Sequence, residues 1–132
     1  MAEKRHEITD AIILKTTANG EINRFFYFIS PTLGLQTAMA FGAAKIKSRF
    51  CSSVQPFVKA KLYLYRSPKT DLYKLEDISD TVSNDHIRQD LDSIYVASFF
   101  CDIFLNYFLC SEECRNYYHL LLYSLELLHE KK

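Results

Sequence analysis

The sequence predicts a β-then-α fold, a small closed barrel of five short strands followed by two or more α-helices. Up to about Ser83 the apolar residues fall in short runs separated by turn residues, and from Asp85 onward they recur with a helical period. Five strands this short leave sticky edges unless the sheet closes on itself. The chain has 132 residues, 48% of them hydrophobic, enough to bury a core. The expected division is a barrel over residues 1–82 and a helical segment over 83–132.

The first strand is expected at residues 8–16, ended by Ala18-Asn19-Gly20, where Asn-Gly supplies the positive φ of a tight turn. A second, residues 24–30, is apolar on both faces through Phe25, Phe26, Tyr27, Phe28 and Ile29, and stops at Pro31. Leu33-Gly34 turns the chain into a third, residues 35–41. A fourth spans 55–65 and a fifth about 72–78. The fourth alternates most cleanly, with Val58, Ala60, Leu62 and Leu64 expected inside and Phe57, Lys59, Lys61, Tyr63 and Tyr65 outside. Ser83-Asn84-Asp85 is good N-cap chemistry for a long helix. Ile87, Leu91, Ile94, Ser98, Cys101, Leu105 and Phe108 would form an apolar stripe down one face, and past Val96 the opposite face is apolar too, as in a helix held between two layers. Ser111-Glu112-Glu113 opens a further helix, acidic in its first turn as the macrodipole favours. Helices this apolar need cover from the barrel, a second copy, a partner or more protein after Lys132.

Sixteen basic residues balance sixteen acidic ones, but not evenly along the chain. Residues 1–66 hold ten basic and four acidic residues, net +6, and the remainder six and twelve, net −6. The basic half contains the most informative stretch, residues 41–57, where Lys45, Lys47 and Arg49 alternate along a glycine-led connection beside Phe50. Cations so placed cannot serve a core; they suit an extended anion, with nucleic-acid phosphate foremost. The outer face of the fourth strand, with Lys59, Lys61 and Tyr63, mixes stacking and charge as single-strand binders do, or is simply a solubilised exterior strand.

Other functions find little support. No nucleophile has a histidine beside it in the pattern, and Gly20, Gly34 and Gly42 form no phosphate-cradling loop, so no catalytic residues and no cofactor are expected. Cys110-x3-Cys114 with His119 has zinc-ligand types but no second ligand pair, so Cys51, Cys101, Cys110 and Cys114 are read as free thiols and no metal site is expected. The amino terminus shows no signal-type apolar run, and residues 94–110 are too short and too polar at Asp102 and Asn106 for a membrane span; a cytoplasmic location is expected.

Residue by residue, the chain resembles the bacterial RecO family of recombination mediators, specifically its amino-terminal oligonucleotide-binding (OB) barrel and first helices. The resemblance rests on Ala11-Ile12-Ile13-Leu14-Lys15, Gly20-Glu21, Gly34, Gly42-Ala43 followed by Lys47-Ser48-Arg49-Phe50, Gln55-Pro56-Phe57 and Leu62-Tyr63-Leu64-Tyr65-Arg66. Downstream, Ile87-Arg88-Gln89-Asp90-Leu91 and Tyr95-Val96-Ala97-Ser98 look like the start of the family's first long helix. The resemblance implies an OB fold that binds single- and double-stranded DNA, anneals complementary strands, and works with RecR to load RecA onto DNA coated by single-strand-binding protein, without enzymatic turnover. It implies action in the cytoplasm at the nucleoid, with Lys45, Lys47 and Arg49 as phosphate contacts and Arg24, Lys59 and Lys61 as the neighbouring basic face. The sequence departs from the family at Phe41 and Ala44, where basic residues are usual, and at Asn23, where an acidic one is. Family members also run on through further helices and a metal-binding cysteine module. A general OB-type binder of RNA or single-stranded DNA, and a helical interaction scaffold carrying an inert barrel, are the alternatives.

Overall fold

The computed structural model describes residues 6–20, 22–41, 53–66, 72–107 and 114–130. Five strands, β1 (His6–Asn19), β2 (Asn23–Ser30), β3 (Gly34–Ala40), β4 (Lys59–Arg66) and β5 (Tyr73–Val82), pair in the order β1-β2-β3-β5-β4 and close into a barrel. Among the described residues three helices follow, α1 (Asp85–Arg88), α2 (Leu91–Tyr107) and α3 (Cys114–Glu130). Gly20 and Gly34 sit at φ +74° and +75°, the left-handed region that the two early turns require.

Closure depends on β1, whose first half pairs with β4 and whose second half pairs with β2. Ile12 belongs to both ladders, opposite Ile29 and Lys59. Immediately after it the β1–β2 register slips between Ile13 and Lys15. Such a bulge bends a strand and strengthens its twist, which lets one strand turn the barrel corner. The Ile13 amide donates to the Val58 carbonyl (2.9 Å), and the Phe57 amide to the Ile13 carbonyl (2.8 Å). β3 and β5 complete the circuit through a short parallel contact, Ala38–Tyr73 and Met39–Lys74.

The alternation expected of β4 holds inside the barrel. Val58, Ala60, Leu62 and Leu64 are buried with Ala11, Ile13, Phe26, Phe28, Ala38, Ala40, Tyr73 and Leu75. Thr9, Ser30 and Thr32 form a hydroxyl cluster, with Thr9 Oγ1 2.6 Å from Ser30 Oγ, and Ser30 Oγ also accepts the amides of Thr32 and Leu33. A second core lies outside the barrel wall. There Ile12, Leu14, Ile29 and Phe57 are covered by Ile87, Ala97, Cys101, Tyr118, Leu121 and Leu125 from the helices.

Three details depart from expectation. Phe57, anticipated on the open outer face, is buried under the helices. It sits at φ +75°, a rare conformation for a bulky residue. The Asn84 amide side chain donates to its carbonyl (2.7 Å), Arg88 lies over its ring (5.9 Å), and the same guanidinium donates to the carbonyls of Pro56 and Ser83. The long helix expected from Asp85 is broken in two because Asp90 caps α2, its carboxylate accepting both the amide and the hydroxyl of Ser93. α2 buries one face on the barrel, while Leu91, Tyr95 and Phe99, each more than 60% exposed, run along the other at intervals of four. Among the described residues nothing supplies the anticipated second layer. No described helix is long and apolar enough to cross a membrane.

Burial pushes the Cys101 thiol, with the Asp102 charge adding, up to about 12 from 9.0. Burial also pushes the Tyr118 phenol, with help from Asp10, up to about 12 from 10.0, and its hydroxyl finds no hydrogen-bond partner among the described residues. In both groups the folded state favours the neutral acid, so unfolded chains lose these protons first. Stability from this source is complete below about pH 9 and falls as pH rises towards 12. Tyr118→Phe should leave stability at pH 7 unchanged or raise it by up to about 1 kcal/mol, and should make the alkaline loss shallower, as read by urea unfolding at pH 7 and pH 11. The Phe57 clamp gives a second expectation. Asn84, at φ +54°, combines a hydrogen bond with a left-handed backbone. Asn84→Ala should cost about 2 kcal/mol in chemical denaturation and Asn84→Gly about half that, because glycine relieves the backbone but not the lost bond.

Candidate nucleic-acid interface

The helices cover only part of the barrel's outer wall. In the ladder across β1, β2 and β3, the row Ile12–Ile29–Leu35 packs under α2 and α3, and the rows beyond it do not. The first open row is Lys15–Tyr27–Thr37 and the next is Thr17–Phe25–Met39. Side chains alternate between faces, and Phe26 and Ala38, between these rows, lie in the barrel core, so the open rows face outward.

The second row continues around the barrel. Met39 pairs with Lys74, Lys74 with Tyr65, and Tyr65 with His6, giving one outward circuit of Thr17, Phe25, Met39, Lys74, Tyr65 and His6 across all five strands. Its members touch at several points. The Lys74 ammonium lies 5.3 Å from the centroid of Phe41, which is half exposed just after β3, and the His6 and Tyr65 rings are 5.1 Å apart. Lys15 and Lys74 are exposed, while Phe25, Tyr27 and Met39 are half-buried. Among the described residues, the open wall of β1, β2 and β3 carries no carboxylate in these rows. It joins flat apolar side chains to cations, the combination that takes stacked bases and their phosphates.

Among the described residues singled out from the sequence, Arg24 does not share a face with Lys59, Lys61 and Tyr63. Lys45, Lys47, Arg49 and Phe50 lie outside the described residues; in the chain they follow Phe41, which stands at the edge of the open wall. Arg24 is in register with Ala18 and Ala40, the row directed into the barrel, and its guanidinium donates to the Val54 carbonyl (3.2 Å). Lys59, Lys61 and Tyr63 stand on β4, separated from β2 and β3 by β1 on one side and β5 on the other. Lys59 lies between Ile12 and Val82. Lys61 is opposite Asp10 and 4.0 Å from Asp80, and the Tyr63 hydroxyl accepts from Ser79 (3.4 Å). Carboxylates therefore offset the lysine charge on this wall, where Glu76 and Asp77 are also exposed and Glu76 meets His6 at 2.9 Å.

The open wall itself was missed. Phe25 and Tyr27 were visible only as half of a strand apolar on both faces, and Lys15, Met39 and Lys74 gave no local signal, since only register places them together. Among the described residues no three His, Cys, Asp or Glu side chains come close enough to hold a metal ion. Cys101 is a buried thiol of the helix layer, and Cys51 and Cys110 lie outside the described residues.

Similarity to known proteins agrees with this architecture. The chain is similar to the DNA repair protein RecO of Clostridium novyi (strain NT), 33% identical over 97 residues that cover 74% of this chain and 37% of that protein. It is also similar to those of Desulforamulus reducens (29% over 119 residues, 90% and 46%) and Syntrophus aciditrophicus (28% over 122 residues, 92% and 47%). The chain spans less than half the length of these relatives. The family described as "Recombination protein O N terminal" matches residues 1–83, the five-stranded barrel, and the chain belongs to the RecO family.

Proposed function

We propose that this chain binds DNA as part of a recombination mediator in DNA repair, holding single strands on the open wall of β1, β2 and β3. The observation that carries the reading is the pair of outward rows that set Tyr27 beside Lys15 and join Phe25 and Met39 to Lys74, with Phe41 against Lys74 and no carboxylate in the β1–β3 rows. Bases stack on Phe25, Tyr27 and Phe41 at roughly 1–3 kcal/mol each, and phosphates meet Lys15 and Lys74. Lys45, Lys47 and Arg49, following Phe41 in the chain, supply the remaining phosphate contacts, with Phe50 as a further stacking residue. Double-stranded DNA is held through the same cations, which meet phosphate regardless of sequence. A strand bound by its backbone and loosely stacked keeps pairing edges within reach of a second strand, which is what annealing requires. Membership of the RecO family supports a role with RecR in loading RecA on DNA coated by single-strand-binding protein, at the nucleoid. Holding and delivering DNA needs no bond-making chemistry, and none is assigned.

A second reading has its own observation. The exposed stripe of Leu91, Tyr95 and Phe99 on α2 suits a protein contact, so the helices serve as the scaffold side of the same mediator.

Fluorescence anisotropy of a labelled oligothymidylate tests the wall. The triple variant Lys45→Glu, Lys47→Glu, Arg49→Glu should weaken binding by more than tenfold, and Phe41→Ala with Lys74→Ala by roughly tenfold, in line with the loss of one stacked base and one charge. Lys61→Ala, whose charge is already offset, should change binding by less than about twofold. Log affinity should fall against log salt with a slope of about −2 to −4 for three to five neutralised phosphates. Unchanged binding in the triple variant would exclude the Lys45, Lys47 and Arg49 contacts, and unchanged binding in the Phe41→Ala, Lys74→Ala variant or a flat salt response would exclude the wall.

A further inference from the structure

We propose that the outer faces of α2 and α3 join two copies of this chain in a two-fold dimer. This rests on the reading of the Leu91, Tyr95 and Phe99 stripe as a protein contact and names the partner as a second copy. On α2, Ala97 and Cys101 are buried against the barrel wall, and Leu91, Tyr95 and Phe99 fall half a period away, on the opposite side of the helix. α3 repeats the arrangement. Tyr118, Leu121, Leu125 and Leu128 are buried, while Leu120, Tyr123 and Leu127 are turned away from the barrel.

α2 and α3 touch, so these six exposed side chains form one surface. Each is 39–64% exposed, and with side chains of this size offering roughly 150–250 Å² apiece, about 600–700 Å² of mainly apolar surface is left in water. The largest apolar patch of a typical monomer is about 300–600 Å², and a specific interface takes about 800 Å² from each partner. The face is therefore large for a monomer. With Asp92, Asn116 and Glu126, exposed on the same helices, as a polar rim, it reaches the size that a stable dimer needs.

The face also matches itself. Both helices have 17 residues and both are apolar on the outside, so a two-fold rotation lays one pair on the other as a four-helix layer between two barrels. The aromatic rings of Tyr95, Phe99 and Tyr123 are the residue types that anchor such contacts. The second layer that the sequence of α2 calls for is then the partner's helix pair. Because the helices cover only the Ile12–Ile29–Leu35 row, the open rows of β1, β2 and β3 stay uncovered in both copies, and one dimer presents two of these walls.

Sedimentation velocity of the 132-residue chain in reducing buffer, over about 1–100 µM, tests the proposal. A monomer–dimer equilibrium with a dissociation constant of about 10 µM or tighter is expected, with no larger species. Tyr95→Glu with Phe99→Glu should weaken dimerisation by more than about a hundredfold, with circular dichroism confirming that the variant is folded. Ile8→Glu, at an equally exposed position on β1, should change it by less than about twofold. A wild-type chain that stays monomeric throughout, one that grows beyond the dimer, or a dimer that the double variant leaves intact overturns the proposal. In the monomeric case, binding of the dye 8-anilinonaphthalene-1-sulfonate that the double variant abolishes keeps the stripe as a contact for another protein, and absence of such binding removes that reading as well.

Discussion

The fold turns on the register slip in β1 between Ile13 and Lys15. Before it, alternation is regular, with Ala11 and Ile13 in the barrel and Ile12 and Leu14 outside. At the slip two successive residues, Leu14 and Lys15, both lie on the outer side, Leu14 under the helices and Lys15 opposite Tyr27. That single extra residue bends β1 from β4 onto β2, provides the apolar platform for α2 and α3, and begins the open wall beside it. Without it Lys15 and Tyr27 would not share a face, and every later pair on the wall would change sides.

The helix layer and the open wall are parts of one arrangement. The hydrophobic row Ile12–Ile29–Leu35 demands cover, and the helices provide it only as far as that row. Rows further along β2 and β3 hold Phe25, Tyr27, Thr37 and Met39, whose half-exposed apolar surface is tolerable in water and useful to a stacking ligand. Phe57 is the joint between the two regions. Its left-handed backbone costs about 1–3 kcal/mol, a cost offset by its contacts with Ile13, Asn84 and Arg88. The barrel wall and the start of the helical segment are thereby tied through one residue.

Much of the barrel was legible because its signals are local. Asn19-Gly20 and Gly34 mark turns through backbone freedom, and the alternation from Val58 to Tyr65 exposes an inner and an outer face within one strand. The second strand shows where local reading stops. Its run of five apolar residues serves three environments, with Phe26 and Phe28 inside the barrel, Ile29 beneath the helices, and Phe25 and Tyr27 on the open wall. No periodicity separates these, since the difference lies in which distant strand or helix stands opposite. The same holds for charge. Arg24 and Lys61 look like free cations in the sequence, yet a carbonyl 30 residues away holds one and carboxylates on two neighbouring strands face the other.

The net charge of zero is consistent with this arrangement. A phosphate within a few ångströms responds to nearby charges, because at physiological salt the field of an exposed group decays over about 8 Å. Segregation of charge by strand therefore matters more than the total. The β4 wall gathers Asp10, Asp77 and Asp80 around its lysines, whereas the open rows of β1, β2 and β3 hold Lys15 and no carboxylate, with Lys74 of β5 joining the second row. In the proposed binding mode, a polyanion meets repulsion on the β4 wall, and the same carboxylates that offset Lys61 would direct the strand towards Tyr27 and Lys15. In that mode the carboxylates around β4 contribute to orientation by exclusion, and a few cations beside rings that stack are enough to define where the strand would lie.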